Sequence, residues 1–158
     1  MITQTRLKEL LDYDPETGVF TRKVNIGYRV AGTIAGTTDN GYRRIVINDR
    51  PYMAHRLAWL FIYGEFPKLQ IDHKNGNRSD NRLINLRLAT NAQNSANRPP
   101  VGNGLKGCCY KKRNGRWVAQ IMKECRQIHL GYFDTEQEAH SAYAEAATKL
   151  HGEFARIA

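Results

Sequence analysis

The run from Gln70 to Arg98 decides the architecture. Gln70-Ile71-Asp72-His73 reads as one short strand, Leu86-Arg87-Leu88 as a second, and Thr90-Asn91-Ala92-Gln93 opens a helix that runs through Asn97. Thr90 and Gln93 have the spacing of a capping box, in which each side chain takes up a backbone N–H at the helix start. The order is therefore strand, loop, strand, helix. Across this run Asp72, Asn75, Asn77, Asp80, Asn81, Asn85, Asn91 and Asn94 supply oxygen donors beside one imidazole, His73, and no thiolate. Such donors suit a hard cation, Mg²⁺ or Mn²⁺, and fit zinc poorly. Asn and Asp also fill turns through hydrogen bonds to their own backbone, so composition alone leaves a plain loop open.

Upstream, Thr5 to Leu11 reads as a short helix with Leu7, Leu10 and Leu11 on one side, stopped by the turn-rich Asp12 to Gly18. Gly18 to Lys23 alternates weakly. Tyr42 to Asn48 alternates with Ile45 and Ile47 on one face, between the turn signals Asn40-Gly41 and Asn48-Asp49, which predicts a short antiparallel sheet. From Tyr52 to Tyr63 the apolar residues run unbroken from Leu57 to Ile62, too long for a typical strand, and predict a nearly buried helix closed by Gly64 and Pro67.

Downstream, Arg98-Pro99-Pro100-Val101-Gly102-Asn103-Gly104 cannot continue regular structure and divides the chain, with a linker at 99–104. Gly107 to Lys112, Arg116 to Lys123 and Gln127 to Phe133 then predict three strands, the first two joined through Asn114-Gly115. A second capping box, Thr135 with Glu138, opens a helix that repeats Ala139, Ala142, Tyr143, Ala146, Ala147 and Leu150 before Gly152 ends it. Small alanines let such a helix lie close to a sheet.

The 158 residues carry 24 Lys and Arg against 15 Asp and Glu, a net charge of +9. An excess of this size attracts polyanions. It is also gathered: Lys106, Lys111, Lys112, Arg113, Arg116, Lys123 and Arg126 fall between Asn103 and His129 with Glu124 alone against them, while the helical half that follows is acidic on balance. Duplex DNA is the expected partner. The three cysteines, Cys108, Cys109 and Cys125, include no C-x-x-C pair and read as reduced packing residues. No apolar run approaches the roughly 18 residues a bilayer span needs, and Met1 to Leu11 carries charge where a secretory segment would be apolar, so a cytoplasmic protein with no membrane partner is expected.

Ile71-Asp72-His73-Lys74-Asn75-Gly76-Asn77, then Asn81-Arg82-x-x-Asn85-Leu86-Arg87, then Asn91-x-x-Asn94, preceded by Ala54-His55-Arg56-Leu57-Ala58-Trp59, resembles the HNH homing endonucleases of phages and introns. The resemblance covers roughly residues 52–98. It implies that His73 is the general base that activates water, that Asp72 and Asn94 hold the metal, and that Asn85 braces the loop and orients His73. An asparagine stands at the last letter of the motif, making this the H-N-N variant. Neighbours in a regular strand point to opposite faces, so Asp72 and His73 can share a site only at a strand end or a distortion, and an irregularity is predicted there. His55 opens an apolar helix and is set aside as a capping or core residue.

Gly107 through Ala155 is similar to the APETALA2-type DNA-binding domain, above all at Arg116-Trp117-Val118-Ala119-Gln120-Ile121, at His129-Leu130-Gly131-x-Phe133-Asp134-Thr135-x-x-Glu138-Ala139 and at Ala142-Tyr143-x-x-Ala146. That resemblance implies a three-stranded sheet in the major groove, with Lys106, Cys109, Lys111, Arg113, Gln120, Met122, Gln127 and His129 against the duplex. Strand alternation places Trp117, Ala119 and Ile121 toward the helix and Val118, Gln120 and Met122 on the free face. Lys111, Lys112, Arg113, Arg116 and Lys123 would anchor phosphates.

The fold class expected is α+β: a ββα-metal module within residues 1–98, with its motif at 52–98, joined by the linker to a three-stranded sheet on one helix at 105–158. The expected activity is metal-dependent DNA endonuclease of the homing type, with Mg²⁺ or Mn²⁺ as cofactor. One active site per chain favours a monomer that nicks, whereas concerted cleavage of both strands needs a symmetric dimer on DNA. A DNA-binding regulator with a degenerate HNH module is the alternative. An RNA-binding protein is a third reading, which the scarcity of paired aromatic side chains on the free face disfavours.

Overall fold

Thr3 starts α1 (Gln4–Leu10) by accepting the Arg6 N–H on its hydroxyl, and Leu7 and Leu10 carry the apolar side of this short helix inward. The structure, a computed structural model, describes residues 1–100, 104–124 and 126–157. Positions 101–103 of the linker and Cys125 lie outside the described residues. The described chain forms two compact units, Met1–Ala89 and Thr90–Ala158, so the division falls ahead of the proline and glycine stretch.

In the first unit β1 (Leu11–Asp14) pairs antiparallel with β2 (Val19–Arg22). The sequence predicts a turn at Asp12; instead Leu11 and Tyr13 are buried and Asp12 and Asp14 exposed, a strand pattern too short to stand out beside the Pro15 turn. A second antiparallel sheet has the order β3 (Thr37–Asp39), β4 (Tyr42–Ile47), β5 (Arg50–Met53). Its reversals, Asn40-Gly41 and Asn48-Asp49, all have positive φ, the hand that matches strand twist. Ile45 and Ile47 are buried as their alternation predicts. Tyr52 and Met53, expected in the helix, belong to β5, whose edge position tolerates Pro51.

The helix itself is α2 (Ala54–Tyr63), ended by Gly64 in the left-handed conformation. Leu57 and Ala58 are fully buried and share one core with Leu7, Phe20, Ile45, Ile71 and Leu86. Truncating Leu57 to alanine there would cost roughly 2–5 kcal/mol. One edge of that core is β6 (Gln70–His73), paired antiparallel with β7 (Leu86–Ala89), with a one-turn 3₁₀ helix at Leu83–Asn85 leading into β7. Pairing runs in register from Gln70↔Ala89 to His73↔Leu86, so the predicted distortion is not a bulge. His73 is the last residue of its strand, and the chain turns at once through Gly76, whose N–H is donated to the His73 carbonyl.

The second unit opens with α3 (Asn91–Ala96), capped by Thr90 and Gln93 as their spacing predicts. β8 (Cys108–Lys111), β9 (Arg116–Lys123) and β10 (Arg126–Phe133) form an antiparallel sheet with β9 in the centre, and α4 (Glu136–His151) packs on it behind the Thr135–Glu138 capping box. Ile121, Tyr143 and Ala147 make the small core between sheet and helix. Gly107 is required there. Its φ is +80°, and a Cβ on it would stand 1.9 Å from the Tyr143 ring. The architecture is α+β, with the C-terminal three-stranded sheet on one helix.

Candidate functional site

The loop from Lys74 to Arg82 is held by backbone and amide hydrogen bonds rather than by apolar packing. Asn85 is its brace. The Asn85 side chain accepts the Asn75 N–H (3.0 Å) and donates to the Asp80 carbonyl (2.8 Å), while its own carbonyl accepts the Lys74 N–H (2.9 Å). Asp80 adds a salt bridge to Arg82 and accepts a bond from Asn75, and these partners hold its carboxyl down at about 2. The β1–β2 hairpin supports the loop from behind: the Tyr13 hydroxyl donates to the Asn81 carbonyl (2.7 Å) and Leu83 N–H to the Pro15 carbonyl. Gly18 permits the approach, since a Cβ there would lie 2.4 Å from Arg82 N.

This loop carries Asn81 onto the imidazole. His73 Nε2 lies 3.3 Å from Asn81 Oδ1, and Asn81 Nδ2 donates to the Ser79 carbonyl, which settles which end of the amide faces the ring. Both residues are buried, Asn81 to 1 % exposure. Burial lowers the His73 pKa below its ordinary value, against the opposing pull of Asn81 and Asp72. His73 is thereby neutral at physiological pH and able to take a proton.

Two neighbours of His73 are not distinguished by the sequence. Asn81 reads along the chain as a turn former, and only its burial against His73 separates it from Asn75 and Asn77. His55, expected to be a capping or core residue, lies in the first turn of α2 with its ring edge-to-face on His73, centroids 5.1 Å apart. Its Nδ1 is buried and has no hydrogen-bond partner among the described residues. Burial first, then the His73 and Arg56 charges, push its pKa down to about 3. Tyr42 stands beside both rings, and the Arg78 guanidinium lies over Tyr42 at 5.0 Å. No periodicity marks this group, because it exists only where α2, β4 and β6 meet.

Asp72 is 4 % exposed and paired with Arg87 directly across the hairpin, Nε and Nη2 reaching Oδ2 at 2.9 and 2.8 Å. Asn94 lies on α3, in the second unit. Among the described residues no three His, Cys, Asp or Glu side chains gather as a metal cage. The donors that the resemblance implies, Asp72 and Asn94, are one carboxylate and one carboxamide, whose oxygen chemistry fits a hard cation that keeps water and phosphate in its remaining positions.

On the C-terminal sheet, Lys111, Lys112, Arg113, Arg116, Lys123, Gln127 and His129 are exposed and Gln120 is half-buried. Arg116 is held by Asp134 at 2.9 Å. Lys106 is half-buried, with its ammonium donated to the Ala96 carbonyl, and burial lowers its pKa to about 8. Val118 is 3 % exposed although strand alternation sets it on the face opposite Ala119 and Ile121; its cross-strand partners are Cys109 and Tyr132. A shift in register between His129 and Gly131 brings His129 and Tyr132 to the same face, rings 4.8 Å apart. Cys108 and Cys109 are free thiols.

Residues 52–96 match the family model described as HNH endonuclease, and residues 103–153 match that of the AP2 domain. Protein 3.8 of Escherichia phage T7 is 35 % identical over 107 residues, covering 65 % of this chain and 88 % of the phage protein. The chain belongs to the HNH endonuclease family. An uncharacterized HNH endonuclease of Acanthamoeba polyphaga mimivirus is 34 % identical over 103 residues, and there this HNH chain aligns with about half of its relative, 54 %. The C-terminal AP2 domain is similar to the dehydration-responsive element-binding protein 2A of Arabidopsis thaliana, 49 % identical over 45 residues, which are 27 % of this chain and 13 % of the plant protein. No solved structure matches. The HNH module and AP2 domain thus stand on one chain, and among the described residues no helix is long and apolar enough to cross a membrane.

Proposed function

We propose that this protein is a metal-dependent DNA endonuclease of the homing type, in which the HNH module cuts and the AP2 domain holds the duplex. The observation that carries the reading is His73: a buried, neutral imidazole at the end of β6, fixed through Nε2 by Asn81 on a loop that Asn85 braces. With Asn81 Oδ1 as acceptor, Nε2 is the protonated nitrogen of the neutral ring, and His73 is the base that takes the proton of the attacking water. Asn85 acts by keeping the loop in place, and through it Asn81. Asp72 and Asn94 are the residues that would hold Mg²⁺ or Mn²⁺. Charge relief at the scissile phosphate and the departing 3′ oxygen is what a cation supplies in such a site.

A linked cutter and groove binder raise each other's local concentration at a target, so neither has to bind tightly alone. Lys111, Lys112, Arg113 and Arg116 anchor phosphates, with Lys123 at the far edge of the sheet, Gln120, Gln127 and His129 on base edges and Lys106 at the entry to β8. One site per chain makes nicking by a monomer the expected outcome.

The buried Asp72–Arg87 pair supports a second reading, a DNA-binding regulator whose carboxylate is kept for Arg87. Supercoiled plasmid incubated with Mg²⁺, Mn²⁺ or a chelator separates the two. The endonuclease converts plasmid to nicked circles only with cation; retained binding without conversion in any cation selects the regulator.

A further inference from the structure

The exposed face of the C-terminal sheet has a centre without charge. Its residues follow from the register: Cys109 on β8, Val118, Gln120 and Met122 on β9, and Gln127, His129 and Tyr132 on β10, with Gln127 opposite Met122, His129 opposite Gln120, and Tyr132 opposite Val118. The cations stand at the margin. Lys111 and Arg116 end the face on one side, the Arg116 charge is held by Asp134, and Lys112 and Arg113 lie in the hairpin turn beyond. Lys123 and Arg126 pair with each other at the far end and alternate onto the other face.

Base edges in the major groove are told apart by what they offer. Guanine presents two acceptors and is met by Arg or Lys, adenine an acceptor and a donor that match a carboxamide, and thymine a methyl group met by apolar surface. The central face lacks the side chains that suit guanine and carries those that suit the other two. Gln120 and Gln127 are the carboxamides. Met122 is 53 % exposed and Tyr132 48 % exposed. Apolar surface left in water is stabilising only once it is covered, and a thymine methyl covers it without asking for a hydrogen bond. The marginal cations meet phosphates, which hold the sheet in the groove but carry no sequence information.

We infer that the C-terminal sheet selects adenine–thymine pairs, with Gln120 and Gln127 reading adenine and Met122 and Tyr132 reading the thymine methyl. The inference rests on the proposal that this sheet enters the major groove. It goes further by naming the bases read.

The test uses the full chain in chelator, so that duplexes are bound and not cut. From a random duplex pool the selected sequences should share a core rich in A·T pairs. The selected duplex, remade with deoxyuridine in place of thymine in that core, lacks only the methyl groups and should bind roughly three- to tenfold more weakly. A Met122→Arg chain, changed at an exposed position and checked for an unaltered melting temperature, should draw guanine into the core of its own selected pool. Selection of a G·C-rich or unbiased core, equal binding of the deoxyuridine duplex, or an unchanged pool with Met122→Arg would each overturn the inference while duplex binding itself stands. A chain that retains no duplex even at low salt would overturn the DNA reading, and this inference with it.

Discussion

His55 and His73 meet edge to face, with ring planes at 84° and centroids 5.1 Å apart, one from the first turn of α2 and the other from the end of β6. Two buried imidazoles at this distance cannot both carry charge cheaply, and the pKa of His55 is down at about 3. The unfolded chain binds its proton near the ordinary value of 6.5, before the folded chain does. The stability that neutral His55 contributes is therefore whole above pH 6.5 and is lost as pH falls from 6.5 toward about 3, by about a few kcal/mol in all. Denaturant titrations of the chain and of His55→Phe, whose ring does not titrate, should show the acid limb flattened in the variant. Parallel curves for the two would mean that His55 does not titrate on unfolding in this way.

Replacing the base should separate cutting from holding. His73→Ala is expected to lower plasmid cleavage by at least about 10²-fold and to leave duplex affinity within about twofold, because His73 takes no part in the groove interactions. Cleavage assays and gel shifts on one preparation decide it. An equal loss in both would make His73 a structural residue.

Asn81 and Asn85 should fail in different ways. Asn81→Asp places a carboxylate on His73 Nε2, which favours the imidazolium and should move the acid limb of the cleavage rate to higher pH. Asn85→Ala removes two hydrogen bonds from the loop and should destabilise the fold by about 1–3 kcal/mol. The pH–rate profile and the denaturation midpoint distinguish them; an unshifted limb in Asn81→Asp would sever Asn81 from the base.

Gly107→Ala puts a methyl into the Tyr143 ring and forces a side-chain residue to φ +80°. A loss of about 2 kcal/mol or more is expected, confined to the C-terminal unit. Thermal unfolding should show one transition lowered and the transition of the first unit unmoved.

Phosphate anchoring has its own signature. Log affinity should fall linearly with log salt, and converting Lys111, Lys112 and Arg113 together to alanine should make that slope shallower by about 0.9 for each phosphate no longer neutralised. An identical slope would place these three cations away from the backbone.

Local signals in the chain specify most of its elements, though not β1, β3 or β5, which are short and lie beside turns. Capping boxes at Thr90 and Thr135, the paired turns at Asn40-Gly41 and Asn48-Asp49 and the alternation of Ile45 and Ile47 each follow from bonds or packing within a few residues, and each appears in the structure. That Asp72, His73 and Asn85 belong to the site follows from the resemblance to HNH endonucleases, but what each touches is not legible along the chain. That Asp72 pairs with Arg87, that Asn81 rather than another asparagine reaches His73, and that His55 lies against the same ring depend on how α2, the β6–β7 hairpin and the β1–β2 hairpin pack. Polar residues that serve turns and polar residues that serve a site have the same chemistry along the chain. Only burial, produced by apolar residues far away in sequence, separates one kind from the other.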